Sequence, residues 1–391
     1  MICLFPGRCS IISPGMGELE SLIMERIQRE GQITFEAFME MALYEPDLGY
    51  YASQATEVGR AGDFYTSPHL HPIFGAMLGI QAEEMWEAMG RPRDFSLIEA
   101  GPGRGWLARD ILDYLEGKEL YEGLSYTLVE ISPHMKKRQR ELLAGHAGKV
   151  GWVSSLGEIQ NAAGLIITNE LLDALPVHLV VMEDSLKEIY VALEGEKLVE
   201  QVGQPSSPYL EKYFVEFGLS LPAGYRTEVN LGMRRWLSEA ASALGKGFLL
   251  TIDYGYPSQE LYSPERDRGT LMCYHKHQVN EEPLERVGRQ DITAHVNFTA
   301  LRSWGEELGL RGIGFTRQGP YLVSLGIDGM IAEMAKRSPD YAGEISKIKG
   351  LIMPGGMGDT HKVLIQYKGS GNPKLRGFVM KNQLNSLFSI S

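Results

Sequence analysis

The sequence predicts an α/β fold built around a doubly wound, mostly parallel sheet. Three observations carry that prediction. Between residues 95 and 169, apolar runs of strand length alternate with amphipathic stretches of helix length. A glycine-rich turn, "GPGRG", follows the first of those runs. The rhythm then fails after Pro176 and resumes at "GKGFLLTIDYG".

Taken in order, residues 17–44 read as helical, with an apolar stripe in "GELESLIMERI" and "ITFEAFMEMALY" and Thr34 as a helix cap. "EPDLGYYAS" and "GRAGDFYTSP" form a long polar and aromatic loop, of the kind that carries function. A second helix covers roughly 70–90. "FSLIEA", "SYTLVEIS", "VGWVSS" and "GLIITNE" are the core strands, with helices "GWLARDILDYL" and "PHMKKRQRELLAG" between them and Pro133 in a first turn. After Pro176, "VHLVVMED", "KEIYVALEG" and "KLVEQVG" alternate like antiparallel strands joined by tight turns. Helices are expected in 207–218 and after "YRTEV". Residues of about 177–245 therefore read as an insertion between two core strands. A polar loop runs from 255 through "DITAHVNF". A helix at "TALRSWGEELG", the strand "RGIGFTRQ", helices in 320–349 and a last strand "HKVLIQYK" complete the chain. The tail from 369 has no pattern and is expected to be poorly ordered.

The glycine turn points to a nucleotide-like ligand. Gly101, Gly103 and Gly105 are spaced G-x-G-x-G, not the G-x-G-x-x-G of dinucleotide sites. Two acids sharpen the reading. Glu130, after the next strand, suits two ribose hydroxyls. Glu99, just before the first glycine, would repel a pyrophosphate but favour the sulfonium and ammonium of S-adenosylmethionine (SAM). A purely structural strand–helix turn and a NAD or FAD site are the alternatives. "TNELLDALP" ends a core strand at the edge where open α/β sheets bind ligands, and places Asn169, Glu170 and Asp173 there. If a helical turn begins at this point, Glu170 and Asp173 share a face and form a carboxylate pair; otherwise Asp173 caps the helix and Glu170 makes an ion pair. "LLTIDYG" puts Asp253 at another strand end, as a pocket wall or a turn. His295 in "DITAHVNF" is a candidate proton acceptor or a structural histidine.

Composition bounds the function. The 391 residues are 43% hydrophobic and 23% charged, as in an ordinary soluble globular protein, and the formal net charge of −12 argues against nonspecific nucleic-acid binding. No apolar run is long enough for a membrane span. Cys3, Cys9 and Cys273 make no CxxC pair, so neither a disulfide framework nor a cysteine zinc site is expected, and a reducing compartment is the default. Paired histidines at 69/71 and 275/277 lack the acids of a metal-binding pattern, so no metal is expected. The opening "MICLFPGRCSIISPGMGE" is a poor signal peptide, and either a true start near Met16 or disorder of the first 15 residues is expected.

"EAGPGRGWLARD", "GDFYTSP", "NELLDALPV", "IDYG", "RGTLMCYHKH" and "DITAHVNF", in that order, resemble the MidA-type methyltransferases, which include a mitochondrial complex I assembly factor that methylates arginine. The resemblance runs from about residue 18 to 367. It implies a class I SAM-dependent methyltransferase (Rossmann-like) fold: a seven-stranded, mostly parallel sheet with an N-terminal helical extension and an inserted α+β subdomain. The implied layout is an extension over 1–75 covering the cofactor site, a SAM-binding domain over 76–176 and 246–368, an insertion over 177–245 for substrate or partner, and the tail 369–391. Gly62, Asp63, Phe64, Thr66 and Ser67 of the GDFYTSP loop are implied to lie against SAM. The family more often has acids where His69 and Asn297 stand. The expected function is methyl transfer to an arginine-bearing protein, a respiratory-complex subunit or another protein partner, with Glu170, Asp173, Asp253 and His295 as catalytic candidates. A small-molecule methyltransferase, a noncatalytic SAM-binding assembly factor and a nicotinamide oxidoreductase are the competing readings. The expected setting is the cytoplasm, or the mitochondrial matrix in a eukaryote, with a homodimer possible.

Overall fold

Seven strands make the central sheet: β1 Phe95–Ala100, β2 Leu124–Val129, β3 Val150–Val153, β4 Ala162–Asn169, β5 Leu244–Tyr256, β6 Arg311–Arg317 and β7 His361–Lys368. The computed structural model describes residues 17–53 and 66–388. Across the sheet the order is β3-β2-β1-β4-β5-β7-β6. Neighbours are parallel from β3 to β5, and β7 runs antiparallel to both β5 and β6. A two-residue strand, Val296–Asn297, pairs in parallel with the end of β5 at Gly255 and Tyr256. The winding reverses between β1 and β4. Open α/β sheets hold ligands beyond the carboxyl ends of their strands at such a switch point.

Alternate residues of the core strands serve two apolar layers. Leu97, Leu165, Ile167, Phe248 and Leu250 face helices Ile73–Ala88, Trp106–Leu115 and Gln318–Leu325. Ile98, Ile166, Leu249 and Leu364 face helices Pro208–Glu216, Gly232–Ala243 and Phe298–Glu307. Burying each such side chain contributes roughly 1.5–3 kcal/mol. Helix starts follow local chemistry. Thr34 Oγ1 accepts the Ala37 N–H at 3.1 Å, and Ser132 Oγ accepts the Met135 N–H at 3.3 Å. Helix Gly232–Ala243 packs on the central sheet, although the sequence pattern grouped it with the insertion.

A third apolar layer joins parts of the chain that are remote in sequence. Strands His178–Met182, Leu186–Glu194, Lys197–Gly203 and Arg226–Val229 form an antiparallel sheet, and Ile33–Thr34 adds an edge to it by pairing with Val191 and Tyr190. Ile23, Phe35 and Phe38 of the N-terminal helices pack with Leu179 and Val191 of that sheet and with Cys273 and Ile292. The last two residues sit in a small sheet of Met272–His275, Gln278–Asn280 and Asp291–Thr293, within what read as a polar loop. Strands of three or four residues are too short to leave a period-2 signal.

The expectation of a poorly ordered tail is corrected over residues 369–388. Leu375, Phe378 and Leu387 are buried. The Phe378 ring sits 5.8 Å from the Tyr321 ring and against Gly314 of β6, where a side chain would collide with it. Three anchors spread over thirteen residues give no periodicity, so the sequence pattern missed them. Replacing Phe378 with alanine is expected to cost about 3 kcal/mol of folding stability in urea unfolding; a loss under about 1 kcal/mol would show that the tail does not pack there.

Candidate functional site

A cavity of about 280 Å3 opens at the switch point, over the carboxyl ends of β1 and β4. Its lining includes Glu99, Gly101, Gly103, Glu130, Asn169 and Glu170, so the two strand-end acids, the glycine turn and the start of "NELLDALP" meet as the sequence implied. A larger recess of about 780 Å3 lies elsewhere, among Glu196, Lys197, Glu200, Arg226 and the 281–289 loop. Charges of both signs line it and neutralise one another, as in the Arg226–Glu200 pair at 2.6 Å.

The glycine turn is built for close approach. Gly101, Gly103 and Gly105 have φ of 71°, 51° and 86°, in the left-handed region that glycine tolerates best. A Cβ at Gly101 would sit 2.8 Å from Leu171, whereas one at Gly103 would meet nothing within 4 Å. The backbone at Gly103 is thus bare toward open space, which leaves room for a ligand. Gly105 starts helix Trp106–Leu115.

The acids differ in charge state. Glu99 accepts a hydrogen bond from Tyr126 Oη at 2.7 Å, and burial pushes its carboxyl up to about 8. Among the described residues no cation is bonded to it, and a ligand cation would hold it ionised. Glu130 is also raised, chiefly by burial; it accepts the Ser132 N–H at 2.8 Å and Gln139 Nε2 at 3.0 Å. Asn169 donates from Nδ2 to Glu170 at 3.0 Å, while its Oδ1 is buried with no partner. These features fit SAM: a neutral acid where a cation would ionise it, an orphan acceptor on the wall and a bare glycine beneath.

Glu170 is held from four directions. Its backbone has φ of 53°, and its side chain is 4% exposed. Oε1 accepts from Ser67 N at 3.2 Å and from Asn169 Nδ2 at 3.0 Å, with His361 Nε2 3.4 Å away. Oε2 accepts from Tyr254 Oη at 2.9 Å. Burial pushes the carboxyl up, but His361, Tyr254 and the Ser67 N–H outweigh it and leave it below the usual carboxylate value. Three donors occupy three of roughly four lone-pair positions. Glu170 is therefore a fixed, ionised acceptor on the cavity wall.

Other candidates fall elsewhere. No helical turn follows Glu170, because residues 171–176 form bends and a turn. The carboxylate pair expected from Glu170 and Asp173 is thus not formed in the cavity lining. Asp173 is buried among Asp253, Asp291 and Glu170; burial and then those charges raise it well above its usual value, and Oδ1 has no partner. Asp253 is fully buried and braces this turn, accepting the Leu172 N–H at 2.9 Å and the Asp173 N–H at 3.4 Å on Oδ2 and its neighbour's N–H on Oδ1. His295 lies between Tyr254 and Tyr256, away from the cavity lining, and burial lowers it to about 4, too weak a base for the role considered. Asn297 caps helix Phe298–Glu307. Gly62, Asp63 and Phe64 lie outside the described residues; Thr66 lines the cavity, and Ser67 reaches Glu170 through its N–H.

Several lining or bracing residues escaped the sequence reading. Tyr44 and Tyr51, ring centroids 5.5 Å apart, line one end of the cavity with Ala174 and Trp236. Tyr44 Oη donates to the Ala174 carbonyl at 2.9 Å, and Tyr51 Oη to Asp291 Oδ1 at 2.7 Å. His69 packs edge-on to Trp106 at 4.3 Å, and burial lowers it to about 4. His361 is the first residue of β7. An antiparallel strand begins at the edge where its parallel neighbours end, which is the one signal that could have placed it here.

Two outcomes test this geometry. A bound cation favours ionised Glu99, so SAM binding should expel on the order of one proton at pH 7, and affinity should rise from pH 6 toward about 8. Glu99→Gln should remove the proton release, read by calorimetry in two buffers, and weaken SAM roughly 10–100-fold. Asp253→Ala leaves two buried N–H groups unpaired and is expected to cost about 1–3 kcal/mol in urea unfolding.

Residues 77–316 match the profile of a family described as "Putative S-adenosyl-L-methionine-dependent methyltransferase". A crystal structure of a Burkholderia thailandensis protein bound to S-adenosyl-homocysteine superposes with a TM-score of 0.87 and 30% identity, covering 94% of this chain and 96% of that one. The mitochondrial protein arginine methyltransferase NDUFAF7 homolog of Drosophila melanogaster is 28% identical over 93% of this chain and 88% of its own length. Its counterpart of that name in Homo sapiens is 27% identical over 86% and 80%. Among the described residues no helix is long and apolar enough to cross a membrane. A site that asks for a buried cation beside a bare glycine turn, on a chain aligned over most of its length with these proteins, has one reading: the chain belongs to this family of SAM-dependent methyltransferases.

Proposed function

We propose that this methyltransferase modifies an arginine side chain of a partner protein. The observation that carries the reading is Glu170: a buried carboxylate, held ionised, on the wall of the cofactor cavity. The name borne by the relatives in flies and vertebrates, protein arginine methyltransferase, points the same way.

The acceptor chemistry explains why such a carboxylate is useful. A guanidinium stays protonated at neutral pH, and its nitrogen lone pairs are delocalised. Glu170 has room for one further hydrogen bond, which can orient a guanidinium nitrogen and draw positive charge toward the carboxylate. Tyr44, Tyr51 and Trp236 give the cavity an aromatic end suited to a planar cation. SAM, when bound, supplies an activated methyl on a sulfonium, with Glu99, Glu130, Asn169 and the glycine turn as the residues that would hold it. Most of the rate enhancement would then come from positioning and fixed charge. A respiratory-complex subunit is the first target to test, in the cytoplasm or, in a eukaryote, the mitochondrial matrix.

The test is transfer of labelled methyl from SAM to proteins of the host lysate, with mass spectrometry of the labelled band. Methylarginine is expected. Glu170→Gln should lower the labelling rate about 100-fold while SAM affinity stays within about 3-fold. Label on lysine or on a small product would refute the arginine reading, and equal labelling by the Gln variant would remove Glu170 from the chemistry.

A further inference from the structure

We propose that the acceptor protein lies along helix Gly232–Ala243, and that Arg235 on that helix binds a carboxylate in the segment beside the methylated residue. The inference rests on the reading above that the acceptor is a protein. It does not depend on which of the acceptor's side chains receives the methyl.

Three recesses share their walls. Trp236 lines the cofactor cavity and also a second recess of about 130 Å3. Arg235 and Glu239 line that second recess and also a third, of about 600 Å3. A path therefore leads out of the cavity past Trp236 and along the helix. Helix geometry explains why one element serves all three. Gly232, Arg235, Trp236 and Glu239 are spaced i, i+3, i+4 and i+7 and line the second recess together. Met233, Leu237, Ala240 and Ala241, on another side of the helix, are buried in the apolar layer against the central sheet. The face toward the recesses is thus held in place by a packed one.

Polar groups along this path are left for a partner. The indole N–H groups of Trp86, Trp152 and Trp304 donate to the Pro92 carbonyl, Gln139 Oε1 and Glu216 Oε1. Among the described residues those of Trp106 and Trp236 donate to nothing, and these are the two tryptophans that line the cavity. An indole N–H removed from water normally finds an acceptor. At Trp236, where the cavity meets the second recess, a backbone carbonyl of an entering polypeptide supplies one.

Charge selects the kind of segment. The third recess has aromatic walls, with Tyr209 58% exposed, and three cations, Lys212, Arg234 and Arg235. Arg234 is paired with Glu307 at 2.7 Å. Lys212 lies 5.2 Å from the Tyr209 ring centroid, with no carboxylate partner among the described residues. Arg235 is exposed and, among the described residues, has no ion pair or hydrogen bond. The acids in the second and third recesses are mostly engaged. Glu216 accepts the Trp304 N–H at 2.7 Å, and Glu36 lies 3.3 Å from His178 Nε2. Glu239 remains, one acid against two cations. On a chain whose formal net charge is −12, a local surplus of cations beside the cavity suits a carboxylate on the partner. Arginine suits that task because its planar fork can give a carboxylate two parallel N–H bonds. Aromatic side chains and arginine are also the residues that dominate interface centres.

Host lysate serves as the probe, with labelled SAM at saturation. Transfer of label to protein is followed against lysate concentration for the full chain and for Arg235→Glu. The variant should need about 10-fold more lysate to reach half its limiting rate, while that limiting rate stays within about 2-fold. Added salt should narrow the difference, since an exposed pair is screened. An unchanged affinity for S-adenosyl-homocysteine shows that the variant is folded. Wild-type dependence on lysate in Arg235→Glu, or an equal loss of rate at every lysate concentration, would overturn the proposal. Mass spectrometry of the labelled band should find Asp or Glu within about five residues of the methylated one, the reach of an extended segment along the helix face; a site without either would overturn it too. Exchanging that acid for lysine in the recombinant acceptor should restore most of the loss in Arg235→Glu, and no rescue would refute the pairing. Label found only in a small product removes the protein-acceptor reading, whereas label on protein with unaltered lysate dependence removes the groove alone.

Discussion

A carboxylate sealed from water must be compensated by every segment that encloses it, and at Glu170 four segments do so. The N-terminal extension gives an N–H from Ser67, β4 gives Asn169, β5 gives Tyr254 and β7 gives His361. Removing one partner from a buried charge is far more costly than the pair is worth when complete. The same carboxylate thus ties three sheet strands and the N-terminal region into one geometry. The left-handed backbone at Glu170, with φ of 53°, is held by this arrangement and turns the side chain onto the cavity wall.

Around that point the acids are graded by environment. Glu170 is held ionised by its donors. Glu99 is raised to about 8 by burial with one tyrosine hydroxyl as partner, so it is set to respond to a ligand cation. Asp253 reaches about the same value for the same reason, yet it spends its oxygens on backbone N–H groups and acts as a brace. Three carboxyl groups of one chemical type thereby serve as fixed charge, responsive charge and scaffold. The difference lies in what each is bonded to, not in how deeply it is buried.

Much of the fold was legible because strands and helices leave periodic traces. The seven core strands, the interruption after Pro176 and the last strand "HKVLIQYK" were all read from such patterns. The cofactor side of the site was legible too, since Glu99, the three glycines and Glu130 are close in sequence around one turn. The aromatic side was not. Tyr44, Tyr51, Trp236 and His361 come from separate parts of the chain and meet only through tertiary packing. Asp173 was misplaced because a three-residue spacing suggested a helical turn where Asp253 instead captures the backbone N–H groups. His295 was open between a proton acceptor and a structural histidine, and its place between Tyr254 and Tyr256 fits the second.

The shared sheet edge has a consequence for how this molecule comes into being. Ile33 pairs with Val191, and Phe35 and Phe38 pack with residues as late as Ile292. Contacts of such separation are slow to form. During synthesis the first two helices emerge with apolar faces that nothing yet made can cover. Tyr44 and Tyr51 can settle only once Ala174 and Asp291 exist. The aromatic end of the cavity is consequently among the last parts to assemble, and a nascent chain stopped short of residue 292 would carry its glycine turn without the wall that faces it.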